Sequence, residues 1–331
     1  MRPTEKKMKH FVILLVTLVC IAVLLTAGNS SAANWPEKDK VITLYVAGGA
    51  GGAADIPARA LVQCLEPELG NKIVVVNRPP NQVGTTEYLA KAGTDGYTIL
   101  FANSPTTHVA YLDPDRKAPY SRKDFMMVTG VGSGPSGVAV LKGSRFKTLK
   151  DLVEAAKANP GKIRATASGP FTLGDFGIVT LEKAAGVKFT RMYYDQQGEQ
   201  RAALLGGHAD AEFNGGFEFI PGQKSGEIET LAVFDTTEYK YLPGVPTTES
   251  QGYKAYGGKT TMGLVYKTGT PQEIADTLAA AVKRVSTKPE FLAMFEKIGM
   301  VVTALSGKEL SAVWDSNEEM VKALLEDLKK K

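Results

Sequence analysis

The chain has 331 residues, with 39 basic and 35 acidic side chains, three histidines and two cysteines. Without residues 1–33, which hold Arg2, Lys6, Lys7, Lys9 and Glu5, the net charge falls to about +1 and Cys64 is the one cysteine left. That balance excludes a nucleic-acid-binding surface, a lone cysteine excludes an internal disulfide, and His108 and His208 are too few for a recognisable metal cluster, so no cofactor is expected.

The first feature in chain order is an export signal. A basic start is followed by a nearly unbroken apolar run from Phe11 to Ala27, and then by the small residues Ser30, Ser31, Ala32 and Ala33. Residues 1–33 therefore read as a cleavable secretory signal peptide, cut after Ala32 or Ala33, which places the mature protein in the periplasm. A retained anchor is the alternative, since the run approaches the ~18–20 residues that span a bilayer, but the small-residue exit favours cleavage. Acylation at Cys20 is disfavoured because Val19 stands where a small residue is expected.

Beyond the leader, apolar runs bounded by turn residues alternate with segments of helical period. Strands are predicted over 41–47, 73–76, 97–102, 137–141, 163–166, 231–234 and 262–266. Helices are predicted over 57–69, 85–91, 149–159, 176–185, 199–205, 271–286 and 308–329. This alternation implies an α/β fold of mainly parallel sheets covered by helices on both faces. Thr148 reads as the cap of the helix opening at Leu149, and Asn159-Pro160-Gly161 as its stop. The length suits two domains. With no linker of biased composition, the chain is expected to cross between them twice, near 132–137 and 259–263. One lobe then comprises 34–133 and 262–331, and the other 134–261.

The most informative stretch follows the first strand: Ala47-Gly48-Gly49-Ala50-Gly51-Gly52-Ala53-Ala54-Asp55. Its glycines let backbone approach a ligand closely, and the helix opening beyond supplies unpaired N–H groups and a positive dipole end, so it reads as an anion site. A dinucleotide fingerprint can be forced onto the run, yet the acidic ribose partner expected ~20 residues on falls near Asn71 or Val75. Gly257-Gly258-Lys259-Thr260 imitates a P-loop but lacks the earlier glycine, where Tyr253 stands. Ser168-Gly169 lacks a nucleophile elbow. Two further polar loops, Asn103 to His108 and Ser168 to Thr172, also follow predicted strands, whose carboxyl ends are where ligands sit in open parallel sheets.

Read together in this order, these motifs resemble the substrate-binding proteins of tripartite tricarboxylate transporters, the Bug family. The shared pattern runs over essentially the whole chain after the leader: Ala47-Gly48-Gly49 with Asp55 and Arg59, Val75-Val76-Asn77-Arg78-Pro79, Asp95-Gly96-Tyr97-Thr98, Asn159-Pro160-Gly161-Lys162, Leu204-Leu205-Gly206-Gly207 with Asp210, Leu242-Pro243-Gly244-Val245-Pro246-Thr247, and Lys267-Thr268-Gly269-Thr270-Pro271. The resemblance implies a two-lobed, type II-like flytrap and a non-enzymatic, monomeric solute receptor that delivers a small carboxylate to membrane permease subunits. It implies a carboxylate loop made by Ala47, Gly48, Gly49, Gly51, Gly52 and Ala53 and braced by Asp55. Ser104, Thr106 and Thr107 would add hydroxyl contacts, and Ser168, Gly169 and Thr172 would hold the ligand from the second lobe.

Two departures bear on the ligand. Phe171-Thr172-Leu173-Gly174-Asp175 replaces the family's usual Gly-Thr-Ser-Ser-His, and Tyr193-Tyr194-Asp195-Gln196 replaces Pro-Tyr-Lys-Gly. Tyr194 and Asp195 join the candidate site from the second stretch. The expectation is that Asp175 or Asp195 faces the cleft and pairs with an ammonium group, or that an apolar or aromatic monocarboxylate packs on Phe171. Rival readings are a sensory lobe feeding a signalling receptor, and a hydrolase or dehydrogenase using the same cleft.

Overall fold

The computed structural model describes residues 35–194, 197–257 and 259–329; the leader and its cleavage site lie outside them. The first half of one lobe is β1 (Ile42–Val46), α1 (Asp55–Leu69), β2 (Ile73–Asn77), α2 (Asn81–Lys91), β3 (Thr98–Ser104) and α3 (Thr106–Leu112). A 17-residue strand, β4 (Phe125–Leu141), carries the chain into the other lobe. There follow α4 (Leu149–Ala158), β5 (Arg164–Ala167), α5 (Leu173–Ala185), β6 (Thr190–Tyr193), α6 (Gln197–Leu205), β7 (Ala211–Gly215), α7 (Gly216–Ser225) and β8 (Ile228–Val233). The chain returns through β9 (Lys259–Lys267) to α8 (Gln272–Val285), α9 (Pro289–Lys297), β10 (Val301–Val302) and α10 (Gly307–Lys329).

Strand order is β2-β1-β3-β9-β4-β7-β5-β6, with β8 and β10 also paired to β4. β1 runs parallel to β2 and β3, and β5 runs parallel to β6 and β7; β9 and β4 join antiparallel. The long strand serves both sheets. It pairs with β9 as far as Pro135 and with β7 from Ser136 onward. The result is a two-lobed α/β flytrap in which each sheet is covered by helices.

Each lobe has its own core. Leu44, Leu61, Phe101, Leu264, Leu278 and Phe291 pack together in one, and Val138, Leu152, Leu181, Phe213 and Phe234 in the other. The inner strands are buried along almost their whole length because both faces are covered. A smaller cluster joins the lobes: Val321, Leu324 and Leu325 of α10 meet Val109 of α3 and Phe176 and Val179 of α5. On the same side, Arg116 Nη2 donates to the Pro170 carbonyl at 3.3 Å.

A local signal explains where α4 begins. The Thr148 hydroxyl accepts from the Asp151 amide at 3.1 Å, and the Asp151 carboxylate accepts from the Thr148 amide at 2.9 Å, a reciprocal cap for α4. The structure also contains elements that periodicity does not predict: α3, the first half of β4, β6, β7, α7 and α9. In β4, Gly132 replaces an apolar side chain because a Cβ there would meet the Phe295 ring at 2.7 Å. In β7, Glu212 and Asn214 interrupt the apolar run, and in α7 Pro221 interrupts the helical signal.

Candidate functional site

The turn after β1 is built around Gly51, whose positive φ of 74° is costly for any residue with a Cβ. It aims the Gly51 amide at Asp55 Oδ2, 2.8 Å away. The same carboxylate accepts from Arg59 Nε at 2.8 Å and Asn77 Nδ2 at 2.9 Å. Burial alone raises the Asp55 pKa, but the hydrogen bonds from Arg59, Gly51 and Asn77 outweigh it and hold the carboxyl below its ordinary value. Asp55 thus stays charged beneath the loop and holds its shape. Among the described residues the Gly49, Ala53 and Ala54 amides have no acceptor.

The second lobe repeats the device. After β5, the Phe171 amide donates to Asp175 Oδ2 at 2.8 Å, and the Thr172 hydroxyl donates to the Gly169 carbonyl at 2.8 Å. Asp175 also accepts from Tyr193 Oη at 3.0 Å and lies 3.4 Å from Arg191 Nη1. The first amides of α5 follow this turn.

Both loops open onto one cavity of about 550 Å³, within the range of small-molecule sites. Ala47, Gly48, Gly49, Gly51, Gly52 and Ala53 line it from one lobe, with Thr106; Ser168 and Thr172 line it from the other. Five helices start at its wall. Ala54 precedes α1, and Asn81, Thr106, Leu173 and Gln197 are the first residues of α2, α3, α5 and α6. Their dipoles favour a negative guest without any lysine or arginine at those ends. The charged lining residues are Glu218 and the exposed Lys297.

Several sequence-nominated residues lie elsewhere, each for a physical reason. Ser104 is buried, its Oγ accepting from Asn317 Nδ2 of α10 at 2.7 Å, and Thr107 donates back to the Asn103 carbonyl at 2.9 Å. Asp55 sits under its loop instead of in the cavity wall. Gly169 and Tyr194 are outside the lining, the Tyr194 amide being tied to the Ala167 carbonyl at 3.1 Å. Phe171 turns away to pack beside α10, with the Arg116 guanidinium 5.7 Å from its ring centre. Asp175 does not face the cavity, because the Phe171 amide, Tyr193 and Arg191 draw its carboxylate inward. Asp195 lies outside the described residues.

Asn103 begins a polar loop that the sequence already singles out; other lining residues escaped sequence reasoning. Asn103, whose Oδ1 accepts from the Thr260 hydroxyl, ends β3, and Asn214 occupies the same place at the end of β7. The strand-end rule that selected the first loops would have selected Asn214 had β7 been legible. Gln200, Phe217, Ile220 and Met300 carry no comparable signal.

Among the described residues no histidine is hydrogen-bonded to the Ser168 side chain. His108 is buried, its Nε2 3.0 Å from the Trp314 carbonyl oxygen, and burial pushes its pKa down to about 4, so it is a neutral packing residue. Among the described residues no group of three or more His, Cys, Asp or Glu side chains is placed to hold a metal ion, and none of the helices is long and apolar enough to cross a membrane.

Comparison with known proteins decides the family. Residues 57–329 match the model of TctC, the tripartite tricarboxylate transporter family receptor. The chain belongs to the TctC family. This receptor is 26% identical over 305 residues to a UPF0065 protein encoded in the gbd 5′ region of Cupriavidus necator, covering 91% of this chain and 90% of that relative. Its fold is similar to a solved periplasmic transporter, with TM-score 0.80 and 25% identity over 88% of this chain and 97% of the other. It is also similar to MatC of Rhodopseudomonas palustris, solved with bound malate, with TM-score 0.77 and 20% identity over 88% of this chain and all of the other. The TctC receptor is a solute-binding component of a transporter, not an enzyme, and its sequence motifs and fold agree in that assignment.

Proposed function

We propose that this receptor is exported to the periplasm, captures a small carboxylate between its lobes and delivers it to the membrane subunits of a tripartite transporter. The observation that carries this reading is the single cavity framed by unpaired backbone amides, Gly49, Ala53 and Ala54 from one lobe and the first turn of α5 from the other. Backbone donors and helix ends hold a carboxylate without a fixed countercharge. MatC, with its bound malate, shares the fold and supports an organic acid as guest.

Capture couples to closure only if the ligand binds the closed form more tightly than the open one. A carboxylate bridging both loops meets that condition, because opening removes one set of donors. The bending point in this reading is where β4 changes partners, between Pro135 and Ser136, together with the start of β9 at Lys259, opposite Pro135. Lobe one then comprises the residues before that point and those from β9 onward.

Calorimetric titration of the mature protein, purified without refolding, against malate, citrate, aspartate and benzoate tests the reading. One-to-one binding of at least one acid, weakened at least tenfold by Gly51→Val, is expected. Failure of every carboxylate to bind, or a co-purified guest that bears no acidic group, overturns it.

A further inference from the structure

Three polar side chains of the second lobe stand out at the cavity wall. Gln200, on α6, is completely buried, and among the described residues neither its Oε1 nor its Nε2 has a hydrogen-bond partner. Asn214, near the end of β7, is almost as buried, and its Nδ2 has no partner among the described residues. Both line the cavity. Buried amides are nearly always hydrogen-bonded, so two that line one cavity without a partner among the described residues call for one supplied from inside it. The third is Glu218, whose Oε2 accepts from the Gly215 amide at 3.0 Å, next to Asn214.

We propose that Gln200 and Asn214 form a second recognition subsite, which binds a hydroxyl or carboxamide group carried by the same ligand whose carboxylate sits on the loops. The inference rests on the carboxylate reading above and sharpens it. Gln200 has a free donor and a free acceptor, so it is satisfied only by a group that both donates and accepts. A second carboxylate accepts only, and would leave Gln200 Oε1 facing a negative charge.

The charges on this wall point the same way. Arg201, next to Gln200, is tied to Glu212 with Nε 2.7 Å from Oε2, so it offers nothing to the cavity. Lys297, the lining cation among the described residues, lies in the opposite lobe at the exposed end of α9. Glu218 brings no positive charge to meet a second carboxylate: burial raises its carboxyl to about 8, so near neutral pH it is mostly an uncharged polar group. The selected class is therefore a monocarboxylate with a neutral polar second function.

Two measurements test this. The first is binding of four- and six-carbon series by calorimetry: butyrate, 4-hydroxybutyrate, succinamate and succinate, then hexanoate, 6-hydroxyhexanoate, adipamate and adipate. In at least one series the hydroxy acid or monoamide is expected to bind about tenfold more tightly than both the methyl-ended acid and the diacid, a difference of about 1.4 kcal/mol. Gln200→Met should erase that gain and leave the methyl-ended acid within about twofold. The second is thermal unfolding without ligand. Removing an unpaired buried amide should leave the melting temperature of Gln200→Met equal to or above that of the parent. A diacid that binds best irrespective of Gln200→Met, or a clearly lower melting temperature of that variant, overturns the subsite. If only the methyl-ended acids bind, the subsite falls and the carboxylate reading stands; if no acid of either series binds, the carboxylate reading falls and takes the subsite with it.

Discussion

The two lobes brace their cavity-lining loops with the same hydrogen bond and opposite electrostatics. In each, an aspartate in the first turn of a helix accepts from the amide four residues before it, Gly51 to Asp55 and Phe171 to Asp175, both at 2.8 Å. Asp55 is paired with Arg59, whose side chain is 53% exposed, and with Asn77, so its charge is reached by solvent-facing donors and its pKa is lowered. Asp175 is paired with Arg191, whose side chain is only 20% exposed and which also serves Glu182. Burial dominates there, and the Asp175 pKa is raised although the Phe171 amide, Arg191 and Tyr193 pull it down. Arg191, shared with Glu182, does not repay the desolvation of Asp175. Identical local geometry therefore stabilises a charge in one lobe and burdens it in the other.

The comparison breaks most severely at Arg191. Replacing it with alanine leaves Asp175 and Glu182 buried without their shared cation, and urea unfolding at neutral pH should show a loss of about 3–5 kcal/mol. Asp55→Ala comes next. It strands the Gly51 amide and the Asn77 donor, and should cost about 2 kcal/mol and weaken carboxylate binding at least tenfold, measured by urea unfolding and calorimetry.

The asparagine variants sharpen the contrast through pH. Asp55, held below 3.8, contributes stability that is present above 3.8 and lost as pH falls through its lowered folded value. Asp175 has the opposite sign: with its folded pKa above 3.8, its contribution is full below 3.8 and is lost as pH rises through the raised value. Between about pH 7 and pH 3, the stability advantage of the parent over Asp55→Asn should shrink, while its advantage over Asp175→Asn should grow. Parallel trends for the two variants would refute the assigned contrast. The smallest effect is expected for Arg59→Ala, about 0.5–1 kcal/mol by urea unfolding, because its guanidinium is largely solvated and Gly51 and Asn77 still satisfy Asp55.

The legible parts of the site are those encoded locally. The run Gly48 to Asp55 announces a tight strand-to-helix turn, and its structure follows from φ at Gly51 and an acid four residues on. Phe171 and Asp175 were read as facing the ligand because they depart from the family pattern, but a departure in sequence gives no direction to a side chain. Arg191 and Tyr193, which turn Asp175 inward, come from a different strand. Gln200 and Asn214 were missed for the converse reason: a polar residue in a helix or an interrupted strand looks like surface until the cavity beside it is known.

By itself the sequence determined the alternation of strands and helices, the cap at Thr148 and the glycine turn that presents bare amides, since each depends on neighbours within a few residues. Tertiary structure alone decided that β4 belongs to both sheets, that five helix starts meet at one cavity, and which acids are buried. Those outcomes depend on partners tens to hundreds of residues apart, whose packing and desolvation no local pattern records.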